Sequence, residues 1–407
     1  MTGTATSGPS RRSVLRLAGA GALVTATSVS GARLAFGAPR GADVLVVLSL
    51  RGGFDGLAAV APIGDPAYER LRPTIATPAR AARRVDRTFG LHPAMAPLGR
   101  LWDDGTLAVV HAVGGPTSRS HTLARAEVER GAEAAAARTG WVQRALAGDR
   151  DPFAATQVGV PNLPAAVAGP GDPFAVSRLR NVKLVVKQAD VPIAAWQDGF
   201  GELVRGPRGE VTRPIGTALT GVADLGRVSS GDAVEAGYPA GALGEALHDV
   251  ARLVRADAGL RVATVESGGW DLHAGAGRAG EGPMHDSLLE LSRGLAAFAA
   301  ELDDDFGRVT LVTLTEFGRR AAENGSGGTD HGLAGASLVL GGAVRGGRVL
   351  GRWPGLDADR LVDGDLAVTT DQRSILAEVL GTRLGLSDLR TVFPGFTPKA
   401  VGVVRAP

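Results

Sequence analysis

VTLVTLTEFGRRAAENGSGGTDH, residues 309–331, decides how the rest of the chain is read. It opens on Val309 to Thr315, a β-branched and leucine-rich run without charge, as expected of a strand buried on both faces of a parallel sheet. The run stops at a carboxylate, Glu316, followed by Phe317, Gly318 and the pair Arg319-Arg320. A glycine-rich loop then delivers Asp330 and His331 side by side. A strand ending in an acid, with a second acid and a histidine in the loop beyond, is how an open α/β sheet places ligand groups at the carboxyl ends of its strands. The plainer alternative is a capped strand and a solvated loop.

The same ending recurs upstream. Asp43 to Leu50 reads as a buried strand that runs into Arg51-Gly52-Gly53-Phe54-Asp55-Gly56. Leu107 to Val113 is a second strand and leads to Ser118, Arg119, Ser120 and His121, with a helix expected from about Thr122 to Ala137. Arg261 to Val265 is a third, leading to Asp271 and His273, and Ser337 to Leu340 is a fifth after the run at Val309. Between the third and fourth strands, Leu288, Leu291, Leu295, Phe298 and Leu302 recur at helical spacing and predict an amphipathic crossover helix over Met284 to Leu302. Strands joined by crossovers of this length imply a mostly parallel sheet, in which all four polar endings lie along one edge. Asp55, Ser118, Ser120, His121, Asp271, His273, Glu316, Asp330 and His331 would then converge from distant parts of the chain, as a metal or hydrolytic site requires.

Residues 145–240 break the rhythm with Pro, Gly and charge, and are read as an insertion or cap holding one short strand candidate, Val182 to Val186, and an isolated Trp196. Ala343 to Trp353 reads as a hairpin turning at Gly346-Gly347, and a last helix is expected from about Gln372 to Leu384.

With 407 residues, 44% of them hydrophobic, the chain can bury a large core. Its formal charge is +2, but residues 1–37 hold four arginines and no acid, so the remainder stands at −2 and carries no nucleic-acid footprint. The absence of cysteine removes disulfides, thiolate metal sites and a cysteine nucleophile. Residues 1–37 resemble a twin-arginine export signal. Arg11-Arg12 precedes a mildly apolar run from Leu17 to about Val29, and Ala35-Phe36-Gly37 is small at the two positions a signal peptidase reads. The expected partner is therefore the twin-arginine export machinery, with a single α/β domain over 38–407 as its folded cargo and no permanent membrane span.

LRGGFDGL (50–57), DPAYERLRP (65–73), FGLHPAMAPL (89–98), SRSH (118–121), GGWDLH (268–273), TEFGRR (315–320), ENGSGGTDHG (323–332) and GGRVLGRWPGL (346–356), in this order, closely resemble the domain-of-unknown-function 1501 family. That family is grouped with the alkaline phosphatase superfamily, so the resemblance implies a doubly wound α/β sheet with metals at the strand ends. It further implies Asp55 as a first aspartate ligand, Asp271 and His273 as the mid-chain ligands, Glu316 in the acid position after a strand, and Asp330-His331 as the late histidine motif. Two positions depart from the superfamily pattern: Phe317 stands where a ligating histidine belongs, and Phe54 stands where an Asn precedes the first Asp.

The chemistry expected is that of an exported metal-dependent hydrolase acting on a small anionic phosphate or sulfate ester. One or two divalent ions would be held, and imidazole ligands favour Zn²⁺ or Mn²⁺ over Mg²⁺. Ser118 or Ser120 would be the nucleophile, either being equally readable as a helix N-cap. His121 would serve as ligand, acid or base, and Arg119 or Arg319 would clamp the anion. The alternative is a non-catalytic extracytoplasmic protein that keeps the scaffold to bind a ligand or partner. His92, His111, His248 and His285 are read as packing residues outside the site.

Overall fold

The computed structural model describes residues 41–133, 137–149, 151, 153–170, 173–181, 228 and 232–406. The leader, Val182 to Val186 and Trp196 lie outside them.

The sheet grows from β1, Val44–Leu50, whose alternate side chains enter opposite cores. Val44, Val46, Leu48 and Leu50 pack into one hydrophobic cluster, Leu45 and Val47 into another, which is the period of two expected of a strand covered on both faces. Eight further strands join it: β2 (Leu107–Gly114), β3 (Ala155–Val158), β4 (Phe174–Val176), β5 (Val262–Ser267), β6 (Val309–Leu314), β7 (Gly335–Leu340), β8 (Arg348–Leu350) and β9 (Thr370–Asp371). Their order across the sheet is β8-β2-β7-β6-β1-β5-β3-β4, with β9 beside the end of β2. β1 pairs in parallel with both β5 and β6. Only β7 runs antiparallel to its neighbours, β2 and β6. The fold is the doubly wound, mostly parallel α/β sheet that the strand and helix pattern implies.

Four main helices flank it: α1 (His121–Arg130), α2 (Ala242–Arg255), α3 (Pro283–Leu302) and α4 (Gln372–Thr382). α3 buries Leu288, Leu291, Leu295, Phe298 and Leu302 against the first cluster together with α2, while Ile375, Val379 and Leu380 of α4 fill the second. α1 is shorter than its sequence implies, because Gly131 takes the left-handed conformation (φ 62°) and ends the helix at Arg130. No helix among the described residues is long and apolar enough to cross a membrane.

The described part of 145–240 adds β3 and β4 to the edge of the sheet. One expectation is corrected. The segment around Gly346-Gly347 is not a hairpin: Arg348–Leu350 pairs in parallel with β2, while Val344 bridges to Val404.

Candidate metal centre

Adjacent strands β5, β1 and β6 end side by side, so the loops after Ser267, Leu50 and Leu314 meet above the middle of the sheet. The β1 loop turns through Gly52 (φ 122°) and Gly53 (φ 85°), conformations that other residues adopt only with strain. A Cβ on Gly52 would stand 2.5 Å from the Asp271 nitrogen, so the bare backbone lets the β5 loop close down on it. The glycine-rich stretch after Arg319 is the loop of a small antiparallel ribbon in which Arg319 pairs with His331. That ribbon carries His331 back to the strand ends, and the start of α1 brings His121 from the end of β2.

Three imidazoles gather there around one carboxylate. The Nε2 atoms of His273 and His331 each lie 3.1 Å from Asp271 Oδ1, and His121 Nε2 lies 3.3 Å from Asp271 Oδ2. The two histidine nitrogens face each other at 2.9 Å. His121, Asp271 and His331 offer ligand atoms all within 4.8 Å of one another.

The other ring nitrogen of each histidine is held by an acceptor. His331 Nδ1 lies 2.8 Å from the Arg119 carbonyl, His121 Nδ1 3.1 Å from Glu316 Oε1, and His273 Nδ1 3.1 Å from Asp330 Oδ1. Carbonyl and carboxylate oxygens accept, so each Nδ1 carries the proton, and in the neutral ring Nε2 is left with its lone pair. Three lone pairs and a carboxylate therefore point into one small space. Donors around a tetrahedral ion bound at about 2.0–2.1 Å stand about 3.3 Å apart, close to the separations of the three Nε2 atoms from Asp271; the group whose ligand atoms all come together is His121, Asp271 and His331, with His273 beside it. The outer carboxylates and carbonyl fix tautomer and ring orientation as is usual for metal-binding histidines. The donor set fits a divalent ion of the zinc type.

Asp271 is kept ionised. Partial burial works against its charge, but the hydrogen bond from Arg319 (2.5 Å) and the positive charge of that guanidinium outweigh it and hold the carboxyl at about 2. Asp330 is likewise lowered, by its bonds to His273 and to the Asn324 amide. Asn324 also donates to the His273 carbonyl at 2.9 Å, tying the two loops together.

Glu316 and Asp330, expected as ligands, stand behind the histidines. Glu316 is buried and receives the Gly52 N–H at 2.9 Å as well as His121. Asp55 is a correction. Its Oδ1 caps a helical turn by accepting from Leu57 and Ala58, its Oδ2 pairs with Arg72 at 2.7 Å, and both side chains are sealed in the core. No lone pair of Asp55 is presented to the cluster.

The two arginines expected as anion clamps both have partners inside the protein. Arg319 is 1% exposed and donates to the carbonyls of Gly52, Gly53, Trp270 and Thr329 and to Asp271, so its fork pins three loops and is buried among them. Arg119 pairs with Asp365, a carboxylate whose burial pushes its pKa up against the opposing pull of Arg119. Ser118 Oγ accepts the Ser120 N–H at 3.1 Å, and Ser120 sits in the N-cap position of α1 with its hydroxyl not engaged in capping.

Phe317 lies against the cluster as a buried wall, its ring centroid 4.4 Å from that of His331 and 4.9 Å from that of His121. On the open side, a cleft of about 560 Å³ is lined by Arg51, Gly52, His121, Thr122, Arg125 and Glu316, among others. Arg51 and Arg125 in its wall each contact both Glu129 and Glu266. Phe317, Arg72 and Asn324 are all within the motifs quoted above; their roles follow only from the partners that folding supplies.

The family described as "Protein of unknown function (DUF1501)" matches residues 248–392, the stretch that carries Asp271, His273, Glu316 and His331, and bears out the resemblance read from the motifs. No curated protein matches the chain. Among solved structures, the lipoteichoic acid synthase LtaP from Listeria monocytogenes aligns over 79% of this chain and 69% of its own, at 11% identity and a TM-score of 0.35. The PsFucS1 sulfatase from Pseudoalteromonas sp. aligns over 89% and 73%, at 12% identity and 0.39. The C-terminal periplasmic domain of EcEptC from Escherichia coli aligns over 88% of each chain, at 9% identity and 0.33.

Proposed function

We propose that the protein is an exported metal-dependent hydrolase of small phosphate or sulfate esters. The observation that carries this reading is the convergence of three Nε2 atoms on the Asp271 carboxylate, with each Nδ1 tied off, beside an open cleft that His121 and Glu316 help to line. His121, His331, His273 and Asp271 would hold the ion. The chemistry such an ion would supply there is Lewis acidity toward an ester oxygen and toward water.

The protein's own groups supply the rest. Glu316, Asp330 and the Arg119 carbonyl keep the imidazoles aimed, and Arg319 keeps Asp271 charged and in place. Arg125, 44% exposed in the cleft wall and paired with Glu129 and Glu266, is the cation nearest the open side, and it would meet the anionic group of the substrate by giving up part of those pairings. Ser120 is the hydroxyl available as a nucleophile, since Ser118 already serves the turn before α1. The twin-arginine leader would deliver the folded protein out of the cytoplasm, and replacing Arg11 and Arg12 by lysine would retain it there uncut.

A second reading, a non-catalytic metal- or ligand-binding protein, is favoured by the commitment of Arg119, Arg319 and Asp55 to internal partners. One experiment separates the two. Protein loaded with Zn²⁺ or Mn²⁺ is assayed against a broad panel of phosphate and sulfate esters beside its His331→Ala and Ser120→Ala variants. Turnover that His331→Ala abolishes together with metal content, and that Ser120→Ala abolishes with metal retained, supports the hydrolase and its nucleophile. No turnover on any ester by metal-loaded protein leaves the binding reading.

A further inference from the structure

We propose that a separate pocket, on the side of α1 turned away from the cleft, binds a small organic cation: a protonated amine carried on an apolar body. The inference uses no residue of the metal centre and is independent of ester hydrolysis.

The pocket encloses about 450 Å³ between the loop after β2, the end of α1 and the first turn of α4. α1 gives Thr122, Arg125 and Ala126 to the cleft and Glu127 and Val128 to this pocket, and no lining residue is common to the two. Two acids, Glu127 and Glu133, stand in its wall, and among the described residues neither carboxylate has a salt bridge or a hydrogen bond. The arginine of the wall, Arg373, is already engaged. Its guanidinium meets Asp371 through contacts of 3.0 and 2.7 Å and lies 4.0 Å over the Phe396 ring. The two acids are close enough to repel: burial and then Glu133 push the Glu127 carboxyl above its ordinary value, over the opposing pull of Arg373.

An independent observation points to a ligand in the same place. Gln372 is 4% exposed and lines the pocket, yet its side-chain amide has no hydrogen-bond partner among the described residues. It packs over Gly115, where a Cβ would stand 3.0 Å from its Nε2. A buried amide left unpaired is costly, and a donor arriving with a ligand restores what burial removed. An ammonium has three donors and no acceptor, which suits two carboxylates and one amide oxygen. An anion would be repelled by the acids. A bare metal ion would leave most of the volume unfilled, because Val128, Ala132 and Leu376 supply a buried apolar wall and the space is that of a small-molecule pocket.

The test titrates the full chain with benzylamine by calorimetry, beside benzyl alcohol and benzoate, which carry the same ring without the positive charge. The side-chain amide signal of Gln372, assigned in ¹H–¹⁵N spectra by its loss in Gln372→Met, reports the place of binding. The expected result is saturable binding of benzylamine that shifts the Gln372 signal, no binding of benzoate, and an affinity for benzyl alcohol lower by about tenfold or more. Glu127→Gln combined with Glu133→Gln should weaken benzylamine by about tenfold or more with the melting temperature retained. Equal affinity for benzyl alcohol, unchanged affinity in the double variant, or binding that leaves the Gln372 signal in place would each overturn the amine site. Absence of saturable binding by both benzylamine and 1,5-diaminopentane would overturn it too, as would displacement of benzylamine by an equal concentration of Ca²⁺.

Discussion

His273 and His331 turn their Nε2 atoms toward each other across 2.9 Å, while the Nδ1 of each is bonded to an oxygen of Asp330 or of the Arg119 backbone. Two lone pairs so opposed, with the Asp271 carboxylate 3.1 Å from both, repel unless a cation stands among them. Holding such an arrangement together requires outside support, and the carboxylates and carbonyl behind the rings provide it.

Glu316→Gln tests that support. The amide oxygen of Gln can still accept from Gly52 or His121, but a neutral acceptor orients the imidazole less firmly and makes it a weaker ligand. Zinc affinity, read by competition with a chromophoric chelator, should fall about 10–100-fold with the fold retained. An unchanged affinity would mean that His121 is not held through Glu316.

Arg319→Lys separates a structural from a substrate-binding arginine. Lysine cannot reproduce the fork that reaches Gly52, Gly53, Trp270, Thr329 and Asp271 together. Several buried carbonyls lose their donor, so urea unfolding should show a loss of about 3 kcal/mol or more. Stability equal to that of the parent protein, with only KM altered, would return Arg319 to the role of an anion clamp.

Asp55→Asn addresses the residue that sequence pattern placed in the centre and folding placed in the core. Asn can still cap Leu57 and Ala58, but it leaves the buried Arg72 guanidinium without its counter-charge. The expected loss is about 3–5 kcal/mol of stability, with metal affinity unchanged at temperatures where the variant is folded. A drop in metal affinity matching that of His331→Ala would make Asp55 part of the centre after all.

Acid should destabilise the fold through two histidines outside the site. Burial lowers His111 from 6.5 to about 4, its bond to the Val60 carbonyl opposing only part of that; burial and then His285 lower His92, likewise to about 4. Both rings are neutral in the fold, with Nδ1 of His111 accepting from Ala112 and Nδ1 of His92 from Ala94. A histidine whose folded pKa is depressed contributes stability in full above its unfolded pKa, and that contribution is lost as pH falls toward the folded value. Urea midpoints should therefore decline between pH 6.5 and 4, each histidine accounting for up to about 3 kcal/mol. His111→Gln, which keeps a donor for Val60, should flatten the slope by its share. A midpoint constant across that window would contradict the neutral buried pair.

The course of the sheet was readable because its signals are local. Runs rich in valine, leucine and alanine mark β1, β2, β5 and β6, and each ends in a glycine-bearing polar loop, so the edge where His121, His273 and His331 meet is legible without coordinates. What pattern cannot supply is the partner. Asp55 looks like any strand-end carboxylate until Arg72, 17 residues later, is seen to occupy it. Arg319 looks like an anion clamp until five acceptors from separate loops close around it. The bulge at Ala112 was hidden for a similar reason. Its φ of 55° absorbs the register shift between β2 and β7, and alanine carries no turn signal.

The central claim is that a cation belongs among His121, His273, His331 and Asp271. The most direct measurement is an anomalous difference map from crystals of the mature protein equilibrated with Zn²⁺ and, separately, Mn²⁺, with data collected on both sides of each metal's absorption edge. The account predicts a strong peak within bonding distance of Asp271 and the Nε2 atoms of His121 and His331, with Asp55 and Glu316 outside the coordination shell. No peak there in either soak, or a peak coordinated by Asp55 and Glu316 with the histidines turned away, would contradict it.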